Sequence, residues 1–129
     1  MSEPIIFISH QRVKEGKLEG NKQYYRQVAE QAKANKPGTI AHLAYLNEEG
    51  SEQSIIHIFS DAESMELHMI GVGELAKKAY EYVEILSFDI YGQPADTVLE
   101  RMMQIVGTGI AVNIKRQRIG GYIRFNSGQ

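Results

Sequence analysis

Ile56-His57-Ile58-Phe59-Ser60-Asp61-Ala62-Glu63-Ser64-Met65-Glu66-Leu67-His68-Met69 is the stretch on which the fold turns. It opens with β-branched and aromatic residues that suit a half-buried strand. Ile56 and Ile58 fall on one side, and Ile55, His57 and Phe59 on the other. Ser60 and Asp61 then supply a helix cap, because an aspartate oxygen accepts from the otherwise unpaired N–H groups of a first helical turn. Beyond them Met65, His68, Met69 and Val72 recur at intervals of three and four, the spacing of one helix face. The segment therefore reads as a strand that turns directly into a helix.

Working backwards, Thr39–Leu46 and Glu52–Phe59 are two strands joined by Asn47-Glu48-Glu49-Gly50, a hairpin signal. Alternation puts Ile40, His42, Ala44 and Leu46 on one face of the earlier strand and Ala41, Leu43 and Tyr45 on the other. Lys17–Asn35 is helical, with Leu18, Asn21, Tyr25, Val28 and Ala32 on one side, and Pro37-Gly38 stops it. Pro4–Val13 is the opening strand. Working forwards, Gly71 and Gly73 interrupt the helix, and Glu74–Tyr82 resumes it with Leu75, Ala76, Ala79 and Val83 inward. Glu84–Tyr91 is the next strand, with Leu86, Phe88 and Ile90 on one face and Ile85 and Tyr91 on the other.

The order β-α-β-β-α-β predicts a ferredoxin-like α+β domain over residues 1–92, with an antiparallel sheet and both helices on one side. Residues 93–129 read as an appendage. It holds a helix through Val106 with Val98, Met102, Ile105 and Val106 buried, short strands at Ile110–Lys115 and Ile119–Phe125, and a frayed end at Asn126–Gln129. Several strands carry apolar residues on both faces, whereas a sheet wet on one side shows clean alternation. A second copy of the chain or the appendage is expected to cover the other face.

Composition narrows the function classes. The 129 residues include no cysteine, which removes disulfides, thiolate ligands and a cysteine nucleophile together. A net charge of -2 gives no electrostatic reason for nucleic-acid binding. The local cluster of Lys115, Arg116, Arg118 and Arg124 reads as a solvated edge. No apolar run approaches the roughly 18–20 residues that cross a bilayer. The opening Met1–Pro4 lacks the basic region and cleavage site of a signal peptide, so the expected compartment is the cytoplasm.

Two segments resemble the antibiotic-biosynthesis monooxygenase-like superfamily of dimeric α+β barrels. One is the opening strand Ile5-Ile6-Phe7-Ile8-Ser9-His10-Gln11-Arg12-Val13 with Lys14-Glu15-Gly16-Lys17; the other is the strand-to-helix passage from Ile56 to Met69. The similarity spans residues 4–92. It implies a homodimer whose two sheets close around a shared core, with the C-terminal extension added. It also implies a small aromatic or quinol ligand held between sheet and helices, oxygenated without metal or flavin, so no cofactor is expected. The haem-degrading branch uses an asparagine on the first strand, a tryptophan and a helix histidine. Here the first strand has no asparagine and the chain no tryptophan, and His68 alone matches, which argues against haem degradation.

His68 is the candidate catalytic acid/base, since an imidazole titrates near neutrality and can take a phenolic proton. His42, His57 and Tyr45 are candidate pocket residues. Arg12 is placed to pair with a ligand carboxylate or phenolate, and Asn21 is a polar residue on the apolar side of its helix. His42, His57 and His68 have the donor type of a zinc site, but no His-Glu-x-x-His or other tight spacing joins them, and no metal is assigned. Gly71-Val72-Gly73 and Gly107-Thr108-Gly109 lack the phosphate-binding patterns, and no serine nucleophile motif is present. The alternative function is a non-catalytic dimeric module that binds a small ligand or a protein.

Overall fold

The computed structural model describes residues 3–107 and 109–124. Its elements run β1 (Ile5–Val13), α1 (Leu18–Asn35), β2 (Thr39–Leu46), β3 (Glu52–Phe59), α2 (Ala62–Met69), α3 (Val72–Ala79), β4 (Val83–Tyr91), α4 (Asp96–Val106) and β5 (Ala111–Lys115). The sheet order is β2-β3-β1-β4-β5. The first four of these strands pair antiparallel, which is the ferredoxin-like α+β arrangement; β5 adds to β4 in parallel.

The expected closure into an α+β barrel is overturned. The five strands form one open layer, with β2 and β5 at opposite edges. A barrel needs its first and last strands to hydrogen-bond, and small barrels take about eight strands to come round.

Ile5, Phe7, Ser9, Gln11 and Val13 of β1 all point to the helix-covered face and are buried. The core there gathers Ile5, Phe7, Phe59, Met65, Met69, Phe88, Ile90, Val98 and Met102. Val98 and Met102 come from α4, and the partly buried Val112 and Ile114 of β5 pack against the same cluster. The residues after Gly92 thus add one helix and one strand to this layer.

Local chemistry explains where the elements begin and end. Asp61 caps α2, its Oδ1 accepting from the backbone N–H of Ser64 at 2.8 Å. Gly71 adopts a left-handed backbone, φ 82°, that separates α2 from α3. A bulge in the β1–β4 pairing gives β4 one extra residue at Leu86. It corrects the expected phase of β4: Ile85 packs on the core with Phe88 and Ile90, while Leu86 is 38% exposed.

Ile6, Ile8, Ile56 and Ile58 are only half-buried on the outer face, and Leu43 and Tyr45 are exposed. The expected strand over Ile119–Phe125 does not form among the described residues, and Ile119 is fully exposed. Phe125 and the expected frayed end, Asn126–Gln129, lie outside the described residues. Among the described residues no helix is long and apolar enough to cross a membrane.

Candidate functional site

The hairpin register sets His42 of β2 directly opposite His57 of β3, and β1 sets Phe7 on the other side of His57. The three form a cross-strand row under the helices. The last turn of α2 lowers His68 onto this row. Ring centroids are 4.6 Å apart for His42–His57, 5.3 Å for His57–His68 and 5.7 Å for His42–His68. Phe7 stacks on His57 at 4.8 Å, and Phe59 lies 5.1 Å from His68. The sequence offers no ligand spacing for these histidines, yet folding brings one ring nitrogen of each within 4.8 Å of the others.

Each ring is held by its Nδ1. His57 Nδ1 donates to the Phe7 carbonyl at 3.1 Å, which fixes its tautomer because a carbonyl only accepts. His42 Nδ1 meets the Tyr25 hydroxyl at 2.8 Å, and His68 Nδ1 meets Thr39 Oγ1 at 2.9 Å. The Nε2 atoms have no hydrogen-bond partner among the described residues. No fully enclosed side-chain nitrogen is without a partner, so all three Nε2 atoms border open space.

Burial keeps these rings neutral. Desolvation, then the charge of Lys36, lowers His42 to about 4. The same two effects, with His42, lower His68 to about 3. His57 is pushed well below its ordinary value by desolvation and then by its two neighbours, against a smaller opposing effect of the Phe7 carbonyl. Lys36 donates to the backbone carbonyl of His68, which holds that cation beside the cluster.

The open space is a cavity in two lobes that meet at His57 and His68. One, about 140 Å³, is walled by Met69, Val72, Ile85, Phe88 and Met102. The other, also about 140 Å³, reaches His42 and is walled by Asn21, Tyr24, Tyr25 and Val28. A second depression, of about 960 Å³, runs between the end of α1 and β2 and touches only His42 of the three histidines. The two lobes, which between them border all three histidines, are the better candidate site.

The sequence candidates divide between the two faces of the sheet. His42, His57, His68 and Asn21 line the cavity. Tyr45 does not: it pairs with Ser54 on the outer face and is 61% exposed. Arg12 is also on that face, in an exposed ion pair with Glu84. Nearby, His10 bridges Ser54 Oγ and Asp89 Oδ2, each at 2.8 Å.

Sequence reasoning passed over Gln11, Gln53 and Thr39. Asn21 Nδ2 donates to Gln53 Oε1 at 2.8 Å, Gln53 donates to Gln11, and Gln11 Nε2 donates to Ser9 Oγ at 2.9 Å. All four side chains are buried. The available signal was that Gln11 and Gln53 fall in the same alternating sets as Phe7 and Phe59. A glutamine in such a set has to find a partner.

Fold and site together define an open-sheeted ferredoxin-like protein with a histidine-edged pocket on the helix-covered face of its sheet. No family model and no curated protein matches the chain. Solved structures do match it. MupZ from Pseudomonas fluorescens aligns with a TM-score of 0.69 at 17% identity, over 94% of this chain and 91% of that one. SnoaB, a cofactor-independent oxygenase from Streptomyces nogalater, aligns with a TM-score of 0.61 at 12% identity, over 73% and 96%. A Bacteroides thetaiotaomicron protein provisionally described as an antibiotic biosynthesis monooxygenase aligns with a TM-score of 0.59 at 15% identity, over 68% and 85%. The resemblance to the monooxygenase-like superfamily therefore holds at the level of fold.

Proposed function

We propose that this protein is an oxidoreductase of monooxygenase-like type that takes a small aromatic or quinol substrate into the two-lobed cavity. The observation that carries the reading is the cavity itself, apolar on its walls and edged by three neutral imidazoles. Each lobe, about 140 Å³, approaches the roughly 150 Å³ of an apolar cavity that admits benzene. Met69, Val72, Phe88 and Met102 supply the apolar contacts for a ring. His68 accepts the substrate hydroxyl proton. At about 3 it is a weak base in the free protein, so transfer is favoured only when the phenolate stays beside the imidazolium that forms, where low polarity strengthens their attraction. Electrons for oxygen reduction come from the substrate. The likeness to SnoaB supports this direction by fold.

Oxygen consumption with a panel of small quinols tests the reading. Turnover should saturate with quinol and fall by about 100-fold or more in His68→Ala, within the usual worth of a general acid/base. Uptake equal in wild type and variant would remove His68 from the chemistry. We further propose that the outer face, with Ile6, Ile8, Leu43, Ile56 and Ile58, is covered by a second copy of the chain. Light scattering then gives twice the chain mass, and a monomer refutes it.

A further inference from the structure

We propose that His42, His57 and His68 form a binding site for one divalent first-row transition ion, zinc being the simplest occupant. One ring nitrogen from each lies within 4.8 Å of the others. Three points that close fit around a common centre no more than about 2.8 Å away, against about 2.0–2.1 Å for a zinc–imidazole bond. Small ring rotations of under about 1 Å therefore complete the coordination.

The surroundings match what such a site requires. A ligating imidazole is normally held at its other nitrogen by an oxygen that fixes its tautomer and aim. His57 has it in the Phe7 carbonyl, and the Tyr25 and Thr39 hydroxyls, which can accept as well as donate, hold His42 and His68 the same way when they accept from Nδ1. With both hydroxyls accepting from Nδ1, Nε2 of each ring is the donor atom. The donor set is all neutral nitrogen, with no carboxylate or thiolate among the three, which suits zinc, copper or nickel rather than magnesium or calcium. The cavity leaves a fourth position for water or for an oxygen of a ligand, the open arrangement of catalytic rather than structural zinc.

The inference does not rest on the oxidoreductase reading and competes with it for one atom, because His68 Nε2 cannot hold an ion and accept a substrate proton at the same time. Untagged, chelator-stripped full-length protein is titrated with zinc alone by calorimetry and with cobalt(II) alone by visible spectroscopy. One equivalent should bind, and cobalt should give the intense d–d bands of four or five coordination. His57→Gln should abolish both signals. Thr39→Val and Tyr25→Phe keep the ligands and remove only the oxygens behind them, so they should weaken zinc by about 10–100-fold. These two read the site even if His57→Gln fails to fold. His10→Gln, outside the cluster, should change nothing. Absence of saturable uptake, or uptake indifferent to the cluster variants, overturns the proposal. Metal uptake without quinol turnover keeps the site and removes the oxidoreductase reading; turnover by stripped protein that takes up no metal does the reverse.

Discussion

Lowering the pH from about 7 to about 5 should destabilise the metal-free protein far more than its carboxylates can explain. An unfolded histidine takes up a proton near 6.5, whereas folded His42 does so at about 4 and folded His68 at about 3. The unfolded chain therefore binds protons first as the pH drops. Stability is full above about 6.5 and is lost progressively as pH falls toward the folded values. Linkage gives a loss of about 2 kcal/mol for each ring between pH 7 and pH 5, so about 4 kcal/mol for the pair. His57 adds in the same direction. Against a typical total of about 5–15 kcal/mol this is a large share, and it corresponds to a fall in Tm of roughly 10 °C or more.

Circular dichroism melts at several pH values, with chelator present so that no cation competes with the proton, measure this directly. The acidic groups with lowered values do not interfere in this window. Glu84, paired with Arg12, starts from 4.5, and Asp89, bonded to His10, and Asp61, bonded to the Ser64 backbone, start from 3.8, so their contributions are lost mainly at lower pH. The double variant His42→Gln/His68→Gln should make the fall between pH 7 and pH 5 shallower, leaving the part that His57 contributes. A wild-type Tm that holds steady over that range, or a double variant that falls as steeply as wild type, would refute the claim that these rings are buried and neutral.

Two further outcomes test the scaffold around the site. A Cβ at Gly38 would stand 2.1 Å from Ser64 Oγ and 2.5 Å from Ser64 Cβ; Gly38→Ala should cost about 1–3 kcal/mol in urea unfolding, and Ser64→Gly in the same chain should recover part of it. Asn21→Leu strips the Gln53 Oε1 atom of its donor in a buried setting, so it should cost about 1–3 kcal/mol, and a neutral outcome would mean that water replaces the lost amide.

Most of the scaffold was legible because local signals agreed with the final packing. Asp61 caps α2 as its position suggests, and Asn47–Gly50 closes the β2–β3 hairpin with hydrogen bonds between Asn47 and Glu52 and between Gly50 and Asn47. Leu86 was misassigned for a definite reason. Strict alternation has no place for an extra residue, and the bulge that supplies one is a property of the β1–β4 pairing rather than of β4 alone. Tyr45 is a different case. Alternation already sets it on the opposite face from His42, and a ligand role for it overlooks that geometry. Barrel closure came from resemblance, and the free β2 and β5 edges correct it.

The three histidines stood out as site candidates, but their approach to one another was not legible, and the reason lies in register. His42 and His57 become neighbours only because the Asn47–Gly50 turn fixes which residues of β2 and β3 face each other. A slip of one residue would turn His42 to the outer face and leave His57 opposite a different side chain. His68 joins them only because the Asp61 cap sets where α2 starts, and hence which side chain of its last turn meets the sheet. Two local decisions, one turn and one cap, thus converge on a single point in space. Neither carries any trace of metal or acid–base chemistry in its own residues. That is why spacing along the chain found no ligand motif, while the folded sheet brings three imidazole nitrogens within reach of one ion.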